Sequence, residues 1–225
     1  MLRGVRSGRR QVRGESPTCI GTLDAAALSC AGLTSCKAIK TSGARASDLV
    51  AVFGIGGLGH VAVQYAKAAG ASVVAVDVIP DQLELAKQLG ADYTVDASSE
   101  DPVSQIQALG GADVALGLCP VGSVLGQGYA SLRRGGRLML VRSLLGRDEF
   151  CIPVHATAAN EISVVGSAGG TRVDLREEFE LHEKGYTRVV REVRLLRHVN
   201  EALAELEAGS VSGRVVFEVD VTRIV

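Results

Sequence analysis

With 225 residues and 47% hydrophobic content, the chain can bury the core of one large domain, or of one domain with an appendage. The 24 Lys plus Arg against 25 Asp plus Glu leave a formal charge of -1, so the composition argues against a nucleic-acid partner and against a charged membrane surface. Apolar runs are broken by Gly, Asp or Lys well before the ~18 residues of a membrane-spanning helix, and Cys19, Cys30, Cys36, Cys119 and Cys151 lack C-x-x-C spacing, which fits a cytoplasmic protein without a disulfide framework.

Residues 1–14 carry Arg3, Arg6, Arg9, Arg10 and Arg13 and no acid. Such a segment reads as a transit peptide, a nucleic-acid arm or a disordered lead-in. Interrupting glycines and the sparse Leu2, Val5 and Val12 favour the last, so residues 1–22 are expected to be a disordered lead-in. A linking helix is predicted over Leu23–Ile39, with Asp24 near its start and Thr41-Ser42-Gly43 ending it. Cys30 lies inside it among Ala and Leu, and spacing alone makes it a small core residue.

The next stretch, Asp48–Asp77, is the most informative part of the chain. Leu49–Phe53 is short, apolar and bounded by turn residues, the pattern of a buried parallel strand. Gly54, Gly56 and Gly59 follow as G-x-G-x-x-G, with Ile55, Gly57 and Leu58 between them. One glycine permits the tight turn, one lets the backbone approach a pyrophosphate, and one lets the next helix pack on the strand. Val61, Ala62, Tyr65, Ala66 and Ala69 then share a helical face that Gly70 ends, so free amide N–H groups and the helix dipole face the loop. A second strand, Ser72–Val76, leads to Asp77, 18 residues beyond Gly59. That is close to the ~20 expected for a carboxylate that binds the adenosine ribose. Asp77 would repel a 2′-phosphate, and no Arg or Lys follows it closely, which selects NAD over NADP. Its alternative is an ordinary strand-end acid.

Helices are predicted over Asp81–Leu89, Val103–Leu109 and Gly122–Leu132, and strands over Tyr93–Val95, Ala112–Leu116, Leu138–Val141 and Ile162–Gly166, with Arg133–Gly136 as a turn. This alternation gives an α/β fold, a Rossmann-type doubly wound parallel sheet of order 3-2-1-4-5-6 over residues 44–171. Residues 172–225 depart from it as a C-terminal α/β extension: helix Asp174–Glu183, strand Arg188–Val193, helix Val199–Leu206 and strand Arg214–Val219.

Taken together, ALSCAGLTSCKAIK, VAVFGIGGLGHVAVQYAKAAGASVVAVD, LELAKQLGAD, SLRRGGRLMLV, EISVVGSAGGTRVDLREEFELHEKG and VNEALAELEAGSVSGRVVFE make the chain resemble the zinc-dependent medium-chain alcohol dehydrogenases, particularly bacterial ones acting on short primary alcohols. The resemblance implies hydride transfer between a primary alcohol or aldehyde and NAD at a catalytic zinc. It makes Cys30 one of three protein zinc ligands, against the core reading above. It places Gly54, Gly56, Gly57, Leu58 and Asp77 at the pyrophosphate and ribose, and Gln82 where the family often has a ribose-side lysine. Val141 and Ser167 fall at the nicotinamide carboxamide, and Arg214 at the cofactor phosphates, its alternative being a solvated strand-end charge. The 172–225 segment is implied to pack back toward the family's catalytic domain, and the sixth strand, with Val164 and Val165, to pair across a homo-oligomer.

The family's preceding catalytic domain, of roughly 150 residues, supplies the other zinc ligands and the proton relay, and no counterpart of it is found in this sequence. His60, His155, His182 and His198 do not replace the missing ligands, although His60 sits at the loop–helix junction as a candidate cofactor neighbour. Two expectations follow: a truncated alcohol dehydrogenase chain holding the cofactor-binding half and inactive by itself, or a non-catalytic NAD-binding module. A zinc-free quinone reductase relative is disfavoured by Cys30 and Asp77.

Overall fold

A computed structural model describes residues 20–119, 121–141 and 150–219. The first 19 residues, most of the expected lead-in, lie outside that range, as does Pro120.

The linking helix starts one residue earlier than expected and is not uniform. It runs as α1 (Thr22–Ala27), a five-residue π turn (Leu28–Gly32) and α2 (Leu33–Ser42), and ends on Gly43 at φ 72°. A left-handed cap of this kind is the reason for glycine there. The buried side of α2, with Cys36, Ala38 and Ile39, packs on the helix that follows the glycine loop.

Six parallel strands, β1 (Leu49–Phe53), β2 (Ser72–Asp77), β3 (Tyr93–Asp96), β4 (Ala112–Gly117), β5 (Leu132–Leu140) and β6 (Ser163–Gly166), form a sheet of order β3-β2-β1-β4-β5-β6. The expected topology is therefore the one observed. β1 and β2 carry continuous apolar runs because both sheet faces are covered. Val50, Val52, Val73 and Ala75 join the core shared with α2, α3 (Gly59–Ala68) and α4 (Pro80–Gln88). Alternate residues Ala51, Phe53, Val74 and Val76 point the other way, into a core with Ile106 of α5 (Pro102–Ala108) and Val124 of α6 (Gly122–Ala130). Strand order reverses between β1 and β4, so the glycine loop and the segment after β4 open a crevice between them, and Leu118 N–H donates to the Phe53 carbonyl at its floor.

Three details differ from the sequence reading. Arg133–Gly136 is not a turn between elements but a bulge inside β5: β4 advances from Ala112 to Val114 while β5 advances from Leu132 to Arg137, leaving three extra residues on β5. The glycines that signal a turn serve the bulge, Gly135 at φ 76°. A short helix, α7 (Val154–Ala159), has no buried residue and hence no periodic apolar signal to announce it. The strand expected at Arg188–Val193 is β7 (Arg191–Leu195), shifted along the chain because Gln64 engages the main chain of Arg188 through both ends of its amide.

After β6, Thr171 and Asp174 form a reciprocal capping box that starts α8 (Arg172–Glu183), which packs on α2 and the π turn. β7, a 3₁₀ turn (Leu196–His198), α9 (Val199–Glu207) and β8 (Arg214–Glu218) complete the described chain, with β7 and β8 paired in parallel. Among the described residues, no helix is long and apolar enough to cross a membrane.

Candidate functional site

The glycine loop has the close geometry its spacing predicts. Gly54 turns the chain at φ 93° and donates its N–H to the Val76 carbonyl. A side chain at Gly59 would collide with the Gly54 carbonyl oxygen and lie 2.9 Å from its carbon, so α3 meets the loop only because this residue is glycine. Around Gly56 there is open space: nothing lies within 4 Å of where a Cβ would stand. At Gly57 the space belongs to Arg214, since a Cβ there would be 2.9 Å from its Cδ and 3.0 Å from a guanidinium nitrogen. The guanidinium of β8 is thus seated over the loop, beside the open Gly56 and the start of α3. Guanidinium, helix N-terminus and exposed loop amides favour an anion at one place.

Asp77, at the carboxyl end of β2, closes the other side. Its Oδ2 accepts from Ile55 N–H at 2.6 Å, and Oδ1 accepts from Val78 and Ile79 N–H at 2.8 and 3.0 Å. Ile55 itself is wholly buried, so its part in the site is this main-chain bond. The Leu58 carbonyl accepts from Ser35 Oγ, which ties the loop to α2. Asp77 borders a cavity of about 250 Å³ walled by Gly54, Val78, Ala97, Cys119 and Gln127. Cys119 reaches within 3.4 Å of a Gly54 Cβ position and forms part of this wall.

Gln82 of α4 is 4% exposed. Its Nε2 lies 3.4 Å from the Val211 carbonyl and 3.3 Å from Ser212 Oγ, and its Oε1 has no partner. Val141 and Ser167 follow adjacent strands β5 and β6 and are buried side by side in the sheet order. Ser167 N–H is committed to the Leu140 carbonyl at 2.8 Å, whereas its Oγ is buried without a partner.

His60 lies at the loop–helix junction, as its place in the sequence suggests. It is fully buried rather than facing the crevice, its Nδ1 lies 3.2 Å from the Gly56 carbonyl, and burial pushes it down to about 4. Its ring contacts the loop at the Gly56 carbonyl, and its Nε2 has no partner. Cys30 sits exposed on the π turn. No group of three or more His, Cys, Asp or Glu among the described residues could hold a metal ion, so these residues alone do not make the three-ligand site that catalytic zinc requires.

The structure adds a buried acid that the sequence reading passed over. Glu178 of α8 is 0% exposed; it accepts from Tyr65 Oη at 2.9 Å, and Oε2 has no partner. Burial pushes its carboxyl up to about 7, opposed by the Tyr65 hydrogen bond. Its spacing of three residues from both Leu175 and Leu181 put it on an inward helical face, a signal available in the sequence.

The profile of the family described as "Zinc-binding dehydrogenase" matches residues 57–184. An alcohol dehydrogenase of Geobacillus stearothermophilus is 40% identical over 203 residues, covering 90% of this chain and 59% of that protein. The crystal structure of the alcohol dehydrogenase from the archaeon Aeropyrum pernix superposes with a TM-score of 0.80 at 36% identity, over 85% of this chain and 56% of that one. Acetophenone reductase from Geotrichum candidum, solved in complex with NAD, superposes with a TM-score of 0.81 at 29% identity, over 89% and 57%. The chain thus spans less than two thirds of the length of these relatives, and within that span glycine loop, sheet order and sequence agree: it belongs to the zinc-binding dehydrogenase family.

Proposed function

We propose that this chain is the NAD-binding part of an alcohol dehydrogenase that moves a hydride between a primary alcohol or aldehyde and NAD. The observation that carries the reading is the seat of Arg214 over Gly57, beside the open approach to Gly56 at the N-terminus of α3. Bound NAD supplies the hydride acceptor. The chain's own residues bind and orient it: the loop amides and Arg214 take the diphosphate, and Asp77 Oδ2, which holds one main-chain donor, keeps a lone pair for a ribose hydroxyl. The cavity beside Asp77 and Cys119 takes the adenine, and main-chain groups of Val141 and Ser167 take the nicotinamide carboxamide.

Cys30 would offer one sulfur ligand toward zinc, and the resemblance assigns the remaining ligands to a domain of the family with no counterpart among the described residues. A second reading is an NAD-binding module without turnover of its own. The reading further places the protein in the cytoplasm as a homo-oligomer that extends its sheet through the β6 edge, with neither nucleic acid nor membrane as partner.

Arg214→Met tests the cofactor assignment: NADH titrated by fluorescence should bind about tenfold more weakly, the loss of a charge-assisted contact, while adenosine binding is unchanged. Equal NADH affinity in the variant would remove Arg214 from the site. The chain with added zinc should produce no NADH from ethanol or propanol under either reading; the coding DNA upstream of Met1 separates them, an in-frame segment rich in C-x-x-C and containing Gly-His-Glu favouring the first and its absence the second.

A further inference from the structure

Arg214 does its proposed work only if the segment before it is held, and among the described residues the Gln82 side chain is bonded to that segment. Gly213 is at φ 74° and packed so closely on Val190 that no side chain fits, and Arg214 N–H donates to the Val190 carbonyl, so the backbone on the β7 side is fixed. On the other side, Val211 and Ser212 meet the Gln82 amide. The Val211 carbonyl can only accept, which determines that Nε2 and not Oε1 faces the loop. Gln82 stands on α4, five residues after Asp77, and Asp77 holds the glycine loop through Ile55. Both sides of the anion site are therefore tied to the β2–α4 junction: the loop through Asp77, and the arm that carries the guanidinium through Gln82.

We propose that Gln82 is a positioning residue for the phosphate clamp: its amide N–H holds Val211 and Ser212, and so keeps Arg214 seated over Gly57. This rests on the dinucleotide reading above and goes beyond it, because it gives Gln82 a role toward the diphosphate exerted through Arg214 and independent of the ribose. A residue acting on the sugar weakens every ligand that contains adenosine. A residue acting through Arg214 weakens only ligands that carry phosphate.

The experiment titrates adenosine and ADP calorimetrically into the 225-residue chain, Gln82→Leu, Arg214→Met and the double variant. Gln82→Leu should weaken ADP about five- to tenfold, the scale of one or two neutral hydrogen bonds, and change adenosine by less than about twofold. In the Arg214→Met background the same replacement should cost ADP nothing further, since the group it positions is gone. Ser212→Ala, which removes a latch partner without touching α4, should reproduce the split to a smaller degree and serves if Gln82→Leu misfolds. Equal losses for adenosine and ADP, or additive losses in the double variant, would overturn the proposal while leaving the dinucleotide reading intact. A wild-type chain that binds neither ligand would overturn both.

Discussion

Glu178→Gln should make the fold more stable above neutral pH and have its smallest effect in acid. The carboxyl is wholly buried with one oxygen unpartnered, and burial moves it from 4.5 to about 7. In the unfolded chain it ionises near its ordinary value, so between these two limits the unfolded state releases a proton that the folded state keeps. The contribution is fully present below about 4.5 and is lost as pH rises through about 7. A gap of about 2.5 units, 7 minus 4.5, amounts to about 3.4 kcal/mol at ~1.36 kcal/mol per unit, of which about 2.5 kcal/mol falls between pH 5 and pH 8. Gln has the same shape, keeps the acceptor for Tyr65 and does not ionise. Nearby Cys36 is pushed up to about 12 by burial and the Glu178 charge, and Tyr65 is raised further, so neither titrates in the window. His60 is pushed down by burial in both proteins and cancels in the difference. Urea unfolding followed by circular dichroism at pH 5, 6.5 and 8 measures the two stabilities. The variant should gain about 2–3 kcal/mol on the wild type across that range; parallel pH profiles would refute the assignment of a buried, proton-binding carboxyl.

The two glycines beside the loop should fail differently. Gly59→Ala meets the Gly54 main chain and should destabilise the fold by about 3 kcal/mol or more, visible as a lower urea midpoint. Gly57→Ala meets the flexible Arg214 side chain at 2.9 Å and the Gly213 carbonyl at 3.1 Å; it should fold, yet bind NADH about tenfold more weakly in a fluorescence titration. Asp77→Ser should narrow or reverse the preference for NADH over NADPH by removing the charge that repels a 2′-phosphate, read from the two dissociation constants. Among the described residues β6 pairs only with β5 and leaves a sheet edge, and sedimentation at micromolar concentration should show a dimer or larger; a clean monomer would count against pairing through that edge.

How much of this could be read from the residues depended on whether the signal was local. The buried strands announced themselves as short runs such as Leu49–Phe53, because both faces of the sheet are covered, and the glycine spacing announced the loop because only glycine fits where Gly59 meets Gly54. Signals with two structural outcomes were misassigned: Arg133–Gly136 carries turn chemistry, and whether glycines close a connection or bulge a strand is decided by the partner strand, here Ala112–Val114. Contacts between residues far apart in sequence left no pattern at all. The Gln82 amide meets a loop 129 and 130 residues later, and Tyr65 meets Glu178 at a separation of 113. Cys30 shows the limit of resemblance, which names a ligand role that the described residues around it do not complete.

The most direct measurement is a side-by-side fluorescence titration of NADH and NADPH into the purified 225-residue chain. A crevice with Arg214 over Gly57 and Asp77 at the end of β2 predicts saturable one-to-one binding of NADH, and NADPH weaker by about tenfold or more, the cost of a phosphate dianion beside a carboxylate. No saturable NADH binding, or NADPH binding as tight as NADH, would contradict it.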